Sequence, residues 1–187
     1  IAAAYATFAS RGLQASPTYI KTITTGSGET LYKLNPKPVQ AFSTDVADIV
    51  TYALQKTVEV GTGKAAKALG RPVAGKTGTT QNNSDGWFIG ITPNLVTGIW
   101  VGAEDRAVRF RSMTYGQGAR MALPIYGYYM EKVYKDPKIA LSRLDFMRPA
   151  DYDSLSYDCI EIQTPEQYRL NQQQKTLFND SLVPFIF

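Results

Sequence analysis

The apolar positions change period several times along the chain, and each change predicts an element. Ala2, Ala3, Ala4, Tyr5 and Ala6 read as the interior of a helix over 1–11, with Gly12 as its stop. Residues 18–24 and 30–34 flank Gly26-Ser27-Gly28-Glu29, a hairpin signature. Asn35-Pro36-Lys37-Pro38 then breaks the chain. The next helix has Ser43 as N-cap and Asp45 in its first turn, with Val46, Ile49, Val50, Ala53, Leu54 and Val58 as its inward face. Gly61-Thr62-Gly63 ends it, and 64–69 adds a short helical turn.

Three strands are predicted in quick succession, 73–79, 86–92 and 96–102. Asn82-Asn83-Ser84-Asp85 and Pro93-Asn94 supply short turns between them, so neighbours should be antiparallel. Helical period returns over 118–134, with Met121, Ile125, Tyr128, Tyr129 and Val133 inward and Pro124 as a candidate kink. The stripe of Tyr126, Tyr128, Tyr129 and Tyr134 reads as core rather than as a ligand surface. Residues 141–187 are less periodic, richer in Gln and acids, and read as an extended tail with short strands. The pattern gives two regions, 1–140 and 141–187, and an α+β class in which an antiparallel sheet is packed by helices.

Composition narrows the chemistry. With 44% apolar and 12% aromatic residues among 187, the chain can bury a real core. It has no histidine, which removes histidine general-base chemistry and most zinc sites. Its single cysteine, Cys159, reads as a small apolar residue. No cofactor or metal is expected, and chemistry must come from Lys, Ser, Thr, Tyr and carboxylates. The net charge of +4 is uneven, basic over 1–140 and acidic over 141–187. Arg106, Arg109 and Arg111 alternate with Ala107, Val108 and Phe110, and Lys64, Lys67, Arg71 and Lys76 form a second group. Neither carries a stacking array or binding motif, so both read as a solvated basic face rather than a nucleic-acid groove. The apolar stretch 87–101 is broken by Pro93-Asn94 and holds two strands rather than a membrane span. The chain opens at Ile1 inside a helix and is expected to be a piece of a longer polypeptide.

Two chemistries claim Gly70-Arg71-Pro72-Val73-Ala74-Gly75-Lys76-Thr77-Gly78-Thr79-Thr80. As G-x-x-x-x-G-K-T it fits the phosphate-cradling P-loop of nucleotide hydrolases. That loop needs a core strand before the glycines and a helix beginning at Lys-Thr. Here the preceding residues 64–69 are helix-like, and those after Lys76 have poor helix propensity. As a strand, the segment puts Thr77 and Thr79 on one face, where both hydroxyls can meet one carboxylate, and Lys76 in the other register. Gly78 would let a ligand backbone approach closely.

The wider pattern is more specific. Ala74-Gly75-Lys76-Thr77-Gly78-Thr79-Thr80, then Asp85-Gly86-Trp87-Phe88-Ile89-Gly90, Thr92-Pro93 and Trp100-Val101-Gly102, resembles the transpeptidase domain of class A (bifunctional) penicillin-binding proteins. Ala4-Tyr5-Ala6-Thr7-Phe8-Ala9-Ser10-Arg11-Gly12, Gly61-Thr62-Gly63-Lys64-Ala65-Ala66 and Ala122-Leu123-Pro124-Ile125-Tyr126 are similar to that family in the same order. The likeness covers roughly residues 1–160.

The resemblance implies an α/β sandwich of the penicillin-binding transpeptidase and serine β-lactamase type, incomplete at its N-terminal side. It implies a peptidoglycan D,D-transpeptidase, in which a serine of S-x-x-K attacks a D-Ala carbonyl and S-x-N assists proton transfer. Neither pattern occurs in this sequence. The nucleophile, its base, a glycosyltransferase domain and a membrane anchor would then lie upstream, and this chain alone would be inactive. The full-length protein would sit at the bacterial cell membrane on its periplasmic side. By the same resemblance Lys76 and Thr79 are catalytic, and Thr77, Gly78 and Thr79 bind substrate. The Thr79 N–H would be the second oxyanion-hole donor. The Thr77 and Thr79 hydroxyls would hold the carboxylate of a β-lactam or terminal D-Ala, with Lys76 in electrostatic support. Asp85 and Trp87 look structural, and Gly86 stands where Ala is more usual. The implied partners are the stem peptide ending in D-Ala-D-Ala, β-lactams and the upstream half of the domain, with no nucleic acid. A non-catalytic peptidoglycan-binding module that keeps the strand without a serine is the alternative.

Overall fold

The alanine-rich opening forms α1 (Ala2–Ala9). Arg11 and Gly12 then take positive φ, and the turn depends on the glycine: a Cβ at position 12 would lie 2.2 Å from the Phe42 carbonyl oxygen. Two small antiparallel ribbons follow. In one, β1 (Leu13–Gln14) pairs with β4 (Val39–Gln40); in the other, β2 (Thr22–Thr24) pairs with β3 (Thr30–Lys33). The predicted hairpin is therefore present, although its first strand begins at Thr22 rather than at 18.

Ser43 caps α2 (Thr44–Glu59) by accepting from the Val46 N–H at 3.4 Å. The inward face differs from the apolar stripe. Ala47, Asp48, Thr51 and Val58 are buried, whereas Val46 and Ala53 are exposed. The Arg11 guanidinium explains this rotation. It donates from Nε to Asp48 Oδ1 at 3.1 Å and from Nη2 to Oδ2 at 2.8 Å. A bidentate pair satisfies the carboxylate and lets a polar residue occupy an inward position.

The computed structural model describes residues 1–139 and 141–149; Cys159 and the short strands expected in the later tail lie outside them. Contacts group Ile1–Ala150 into one unit and Asp151–Phe187 into another. Within the first, Leu141 packs on the core and the Ser142 N–H donates to Asn94 Oδ1 at 3.1 Å.

After a 3-10 turn over Lys64–Leu69, Gly70 closes in the left-handed region at φ +63°. The chain then builds its main sheet, β5 (Ala74–Thr79), β6 (Gly86–Ile91) and β7 (Val96–Val101), antiparallel and in that spatial order. Among the described residues, strand β5 is therefore an edge. A short α3 (Met113–Gly116) leads into α4 (Gly118–Lys135), which contains Pro124 and packs on β6 and β7.

Met121 and Val133 of α4 are buried as predicted, but Ile125, Tyr128 and Tyr129 are exposed, and Ala122, Leu123, Tyr126 and Met130 face inward instead. A socket in the sheet sets this choice. Gly75 and Gly90 stand opposite each other on β5 and β6. A Cβ on Gly90 would come within 2.3 Å of the Tyr126 ring, so the missing side chain is the space the ring occupies. The ring meets Phe88 edge-on at 4.8 Å. Its hydroxyl has no hydrogen-bond partner among the described residues, and burial pushes its pKa up. Val58, Ala66, Val73, Phe88, Leu123 and Met130 complete the core around it.

Candidate active-site strand

Register decides what β5 presents. Thr77 pairs with Phe88 and Thr79 with Gly86, while Lys76 pairs with Ile89 and Gly78 with Trp87. Residues directly opposite in an antiparallel ladder share a face. Phe88 packs on Tyr126, and a Cβ on Gly86 would meet Met121, so this face looks toward α4. Thr77 and Thr79 lie on it, and Lys76 and Gly78 lie on the other.

The free edge follows from two bonds. The Gly75 carbonyl accepts from Thr57 Oγ1, and the Thr77 carbonyl accepts from Lys76 Nζ at 2.7 Å. Both carbonyls therefore point away from β6. Because the N–H and C=O of one strand residue point to the same edge, the alternation turns the Thr79 main chain outward as well. Past the strand, the Thr80 N–H returns to the Asp85 carbonyl at 3.1 Å and closes the turn.

The two threonine side chains are held by partners outside the strand. Thr77 is buried, and its hydroxyl shares a 2.6 Å hydrogen bond with that of Thr62, in the loop leaving α2. Thr79 is exposed and its Oγ1 accepts from the Gly118 N–H, the first residue of α4, at 3.0 Å. Lys76 is exposed. Gly78 is half-buried, and a Cβ there would sit 3.2 Å from Trp87 Cβ, so its bareness also admits the neighbouring indole.

Asp85 fixes the turn. Its Oδ2 accepts from Thr80 Oγ1 at 2.8 Å and Ser84 Oγ at 2.9 Å, and its Oδ1 from Trp100 Nε1 at 3.0 Å. The bonds from Thr80, Trp100 and Ser84 lower its pKa, with a smaller contribution from the positive field of Arg106. This carboxylate joins the end of β5 to β7.

Sequence reasoning missed Thr57, Thr62 and Gly118. They lie 18, 15 and 39 residues from their partners, and no local pattern announces such pairings. The phosphate-cradling alternative finds no support in the backbone. The chain runs straight through Lys76 as strand, and no helix begins there to hold a phosphate. Among the described residues there is no group of three or more His, Cys, Asp or Glu placed to hold a metal, and no helix is long and apolar enough to cross a membrane.

The penicillin-binding protein transpeptidase domain matches residues 1–115, the span that contains α2 and all three strands of the main sheet. The chain belongs to the penicillin-binding protein transpeptidase family. It is 38% identical over 133 residues to penicillin-binding protein 1A of Aquifex aeolicus, covering 71% of this chain and 18% of that protein. To penicillin-binding protein 1B of Vibrio cholerae it is 34% identical over 140 residues, covering 74% of this chain and 17% of that one. The crystal structure of penicillin-binding protein 1A from Haemophilus influenzae aligns at a TM-score of 0.69 and 23% identity, over 80% of this chain and 27% of that chain. The D,D-transpeptidase domain of a peptidoglycan glycosyltransferase from Eggerthella lenta aligns at 0.58 and 26% identity, over 72% and 31%. The penicillin-binding transpeptidase fold is thus present in part, as mixed α+β layers, and the chain spans less than a fifth of the Aquifex and Vibrio proteins.

Proposed function

We propose that this chain supplies the third-motif wall of a serine-type peptidoglycan D,D-transpeptidase. Lys76, Thr77, Gly78 and Thr79 form the strand beside which a donor peptide or β-lactam adds. The Thr79 N–H is one oxyanion donor, and the hydroxyls of Thr77 and Thr79 hold the substrate carboxylate. The attacking serine of S-x-x-K, its S-x-N partner and the other oxyanion donor come from an upstream part of the same domain, together with the membrane anchor that keeps the whole on the periplasmic side. Alone, the chain is inactive.

The observation that carries this reading is the open edge of β5, toward which the main chain of Thr77 and Thr79 is turned. A main-chain N–H can serve as an oxyanion donor only where a ladder does not already use it, and the outward turn of Thr79 supports that role. Lys76 stands three residues before Thr79 on an exposed position, and its Nζ on the Thr77 carbonyl adds positive field at the same edge. The non-catalytic binding module shares this geometry and differs only in lacking a serine partner.

Labelling with a fluorescent penicillin tests the reading. The chain alone is expected to take no covalent label. Co-expressed with the segment that precedes it in its gene, it should leave the label on that segment. Absence of label from both would favour the binding module, and an adduct on any residue from 1 to 187 would misplace the nucleophile.

A further inference from the structure

Next to the β5–β6 turn lies a cavity of about 280 Å³ that the catalytic reading does not use. Its floor and walls are Val101, Val108, Phe110 and Met121, with Asn83, Ser84 and Arg109 as polar members. The loop that carries Arg109 is tied to the turn at two points: the Phe110 N–H donates to the Asn83 carbonyl, and Asn83 Nδ2 donates to the Phe110 carbonyl, both at 3.4 Å. Gly116 holds the loop close, since a Cβ there would lie 2.4 Å from Asn83 Cβ. The cavity is therefore built from packed elements rather than from a loose surface fold.

Charge says what it fits. Arg106, Arg109 and Arg111 are exposed, and none makes an ion pair within 4.0 Å among the described residues. Arg109 lines the cavity, and a guanidinium with no carboxylate within 4.0 Å among the described residues lowers the free energy of one placed at the rim. Val108 and Phe110, 63% and 46% exposed, stand among the arginines and give the same patch an apolar component. A ligand must satisfy both, with a small apolar group for the cavity and a carboxylate for its rim.

Position says how it connects to the strand. Thr79 pairs with Gly86, and Gly86 pairs with Val101, so the cavity floor lies two strands from Thr79 in the same row. Two strand spacings are about 10 Å. The first turn of α4 covers Gly86 in that row, so a peptide reaches the cavity around that turn and needs at least about three extended residues.

We propose that this cavity and the Arg109 rim form a subsite for a carboxylate-bearing peptide, holding a residue at least about three positions from the group bound at Thr79. Resting on the transpeptidase reading, it gives the stem peptide a second anchor beyond its terminus. Arg109 pairs with the side carboxylate, Arg106 and Arg111 add field, and the adjoining apolar group enters between Val101 and Phe110.

The test is titration of the ¹⁵N-labelled full chain with the pentapeptide L-Ala-γ-D-Glu-L-Lys-D-Ala-D-Ala, and with the same peptide whose glutamate α-carboxylate is amidated. The acid should shift the amides of Ser84, Val101, Gly102 and Phe110. Both amidation and Arg109→Gln should weaken these shifts roughly tenfold in apparent Kd, with Arg109→Lys recovering part of the loss. Arg109 is exposed, so its replacement leaves the fold intact, which the unchanged remainder of the spectrum verifies. Shifts confined to 76–79 would overturn the subsite and leave the transpeptidase reading standing. Equal binding of acid and amide, or no shift up to millimolar peptide, would overturn it too. Penicillin labelling judges the transpeptidase reading separately.

Discussion

The hydroxyl oxygens of Thr77 and Thr62 stand 2.6 Å apart, joining the middle of the edge strand to the loop that leaves α2. A hydroxyl has one hydrogen to donate and a carboxylate oxygen only accepts, so Thr77 serves a ligand carboxylate by accepting from Thr62 and donating its own O–H outward, while Thr62 fixes its rotamer. Removing that partner should loosen the proposed carboxylate site without removing it. In the domain assembled with its upstream half, Thr62→Ala should slow penicillin acylation by roughly tenfold, the value of about one hydrogen bond, and Thr62→Ser should restore it. Stopped-flow acylation rates check this. A rate unchanged in Thr62→Ala would show that Thr77 is oriented by something else.

The socket under Tyr126 makes a stability prediction. An added methyl at Gly90 would sit 2.3 Å from two ring carbons of a side chain with no exposure. Neither the strand backbone nor a fully buried ring yields easily, so Gly90→Ala should cost about 1–3 kcal/mol or more. Urea denaturation should show a lower midpoint at unchanged slope. Adding Tyr126→Leu should recover part of the loss, because the two sites share one space.

Asp85 gives a pH dependence with a definite sign. Bonds from Thr80, Trp100 and Ser84 hold its folded pKa below the unfolded value of about 3.9. Such a group stabilises the fold above the unfolded pKa, and that contribution is lost as pH falls through the folded one. Thermal midpoints measured from pH 7 to pH 2 should fall less steeply below pH 4 for Asp85→Asn than for the parent, from a lower starting value. Trp100 fluorescence reports the same transition locally, since its indole donates to this carboxylate.

The sheet was the most legible part of the fold in the sequence. Its strands are bounded by Gly70-Arg71-Pro72, Asn82-Asn83-Ser84-Asp85 and Pro93-Asn94, and such residues fix a boundary through local backbone sterics. Each strand lies within one residue of its predicted limits. The helix faces were less legible. In α2 the inward face holds Asp48 because Arg11 reaches it, and in α4 it holds Tyr126 because β6 leaves a hole at Gly90. Both depend on residues far away in sequence, which periodicity within one helix cannot register. The site divides the same way. Lys76, Thr77, Gly78 and Thr79 carry a local signature, whereas Thr57, Thr62 and Gly118 are ordinary residues until the fold brings them to the strand.

The proposed oxyanion donor is the Thr79 main-chain N–H, at the open edge of β5. Proline at position 79 removes that N–H together with the hydroxyl, while valine removes the hydroxyl and keeps the N–H. An edge strand tolerates proline where its N–H faces away from the ladder, so both variants should fold. The direct measurement is the penicillin acylation rate of the two variants in the domain assembled with its upstream half. Thr79→Pro is expected to acylate roughly 10²–10³-fold more slowly than Thr79→Val, the cost of one oxyanion-hole donor. Equal rates in two folded variants would contradict it.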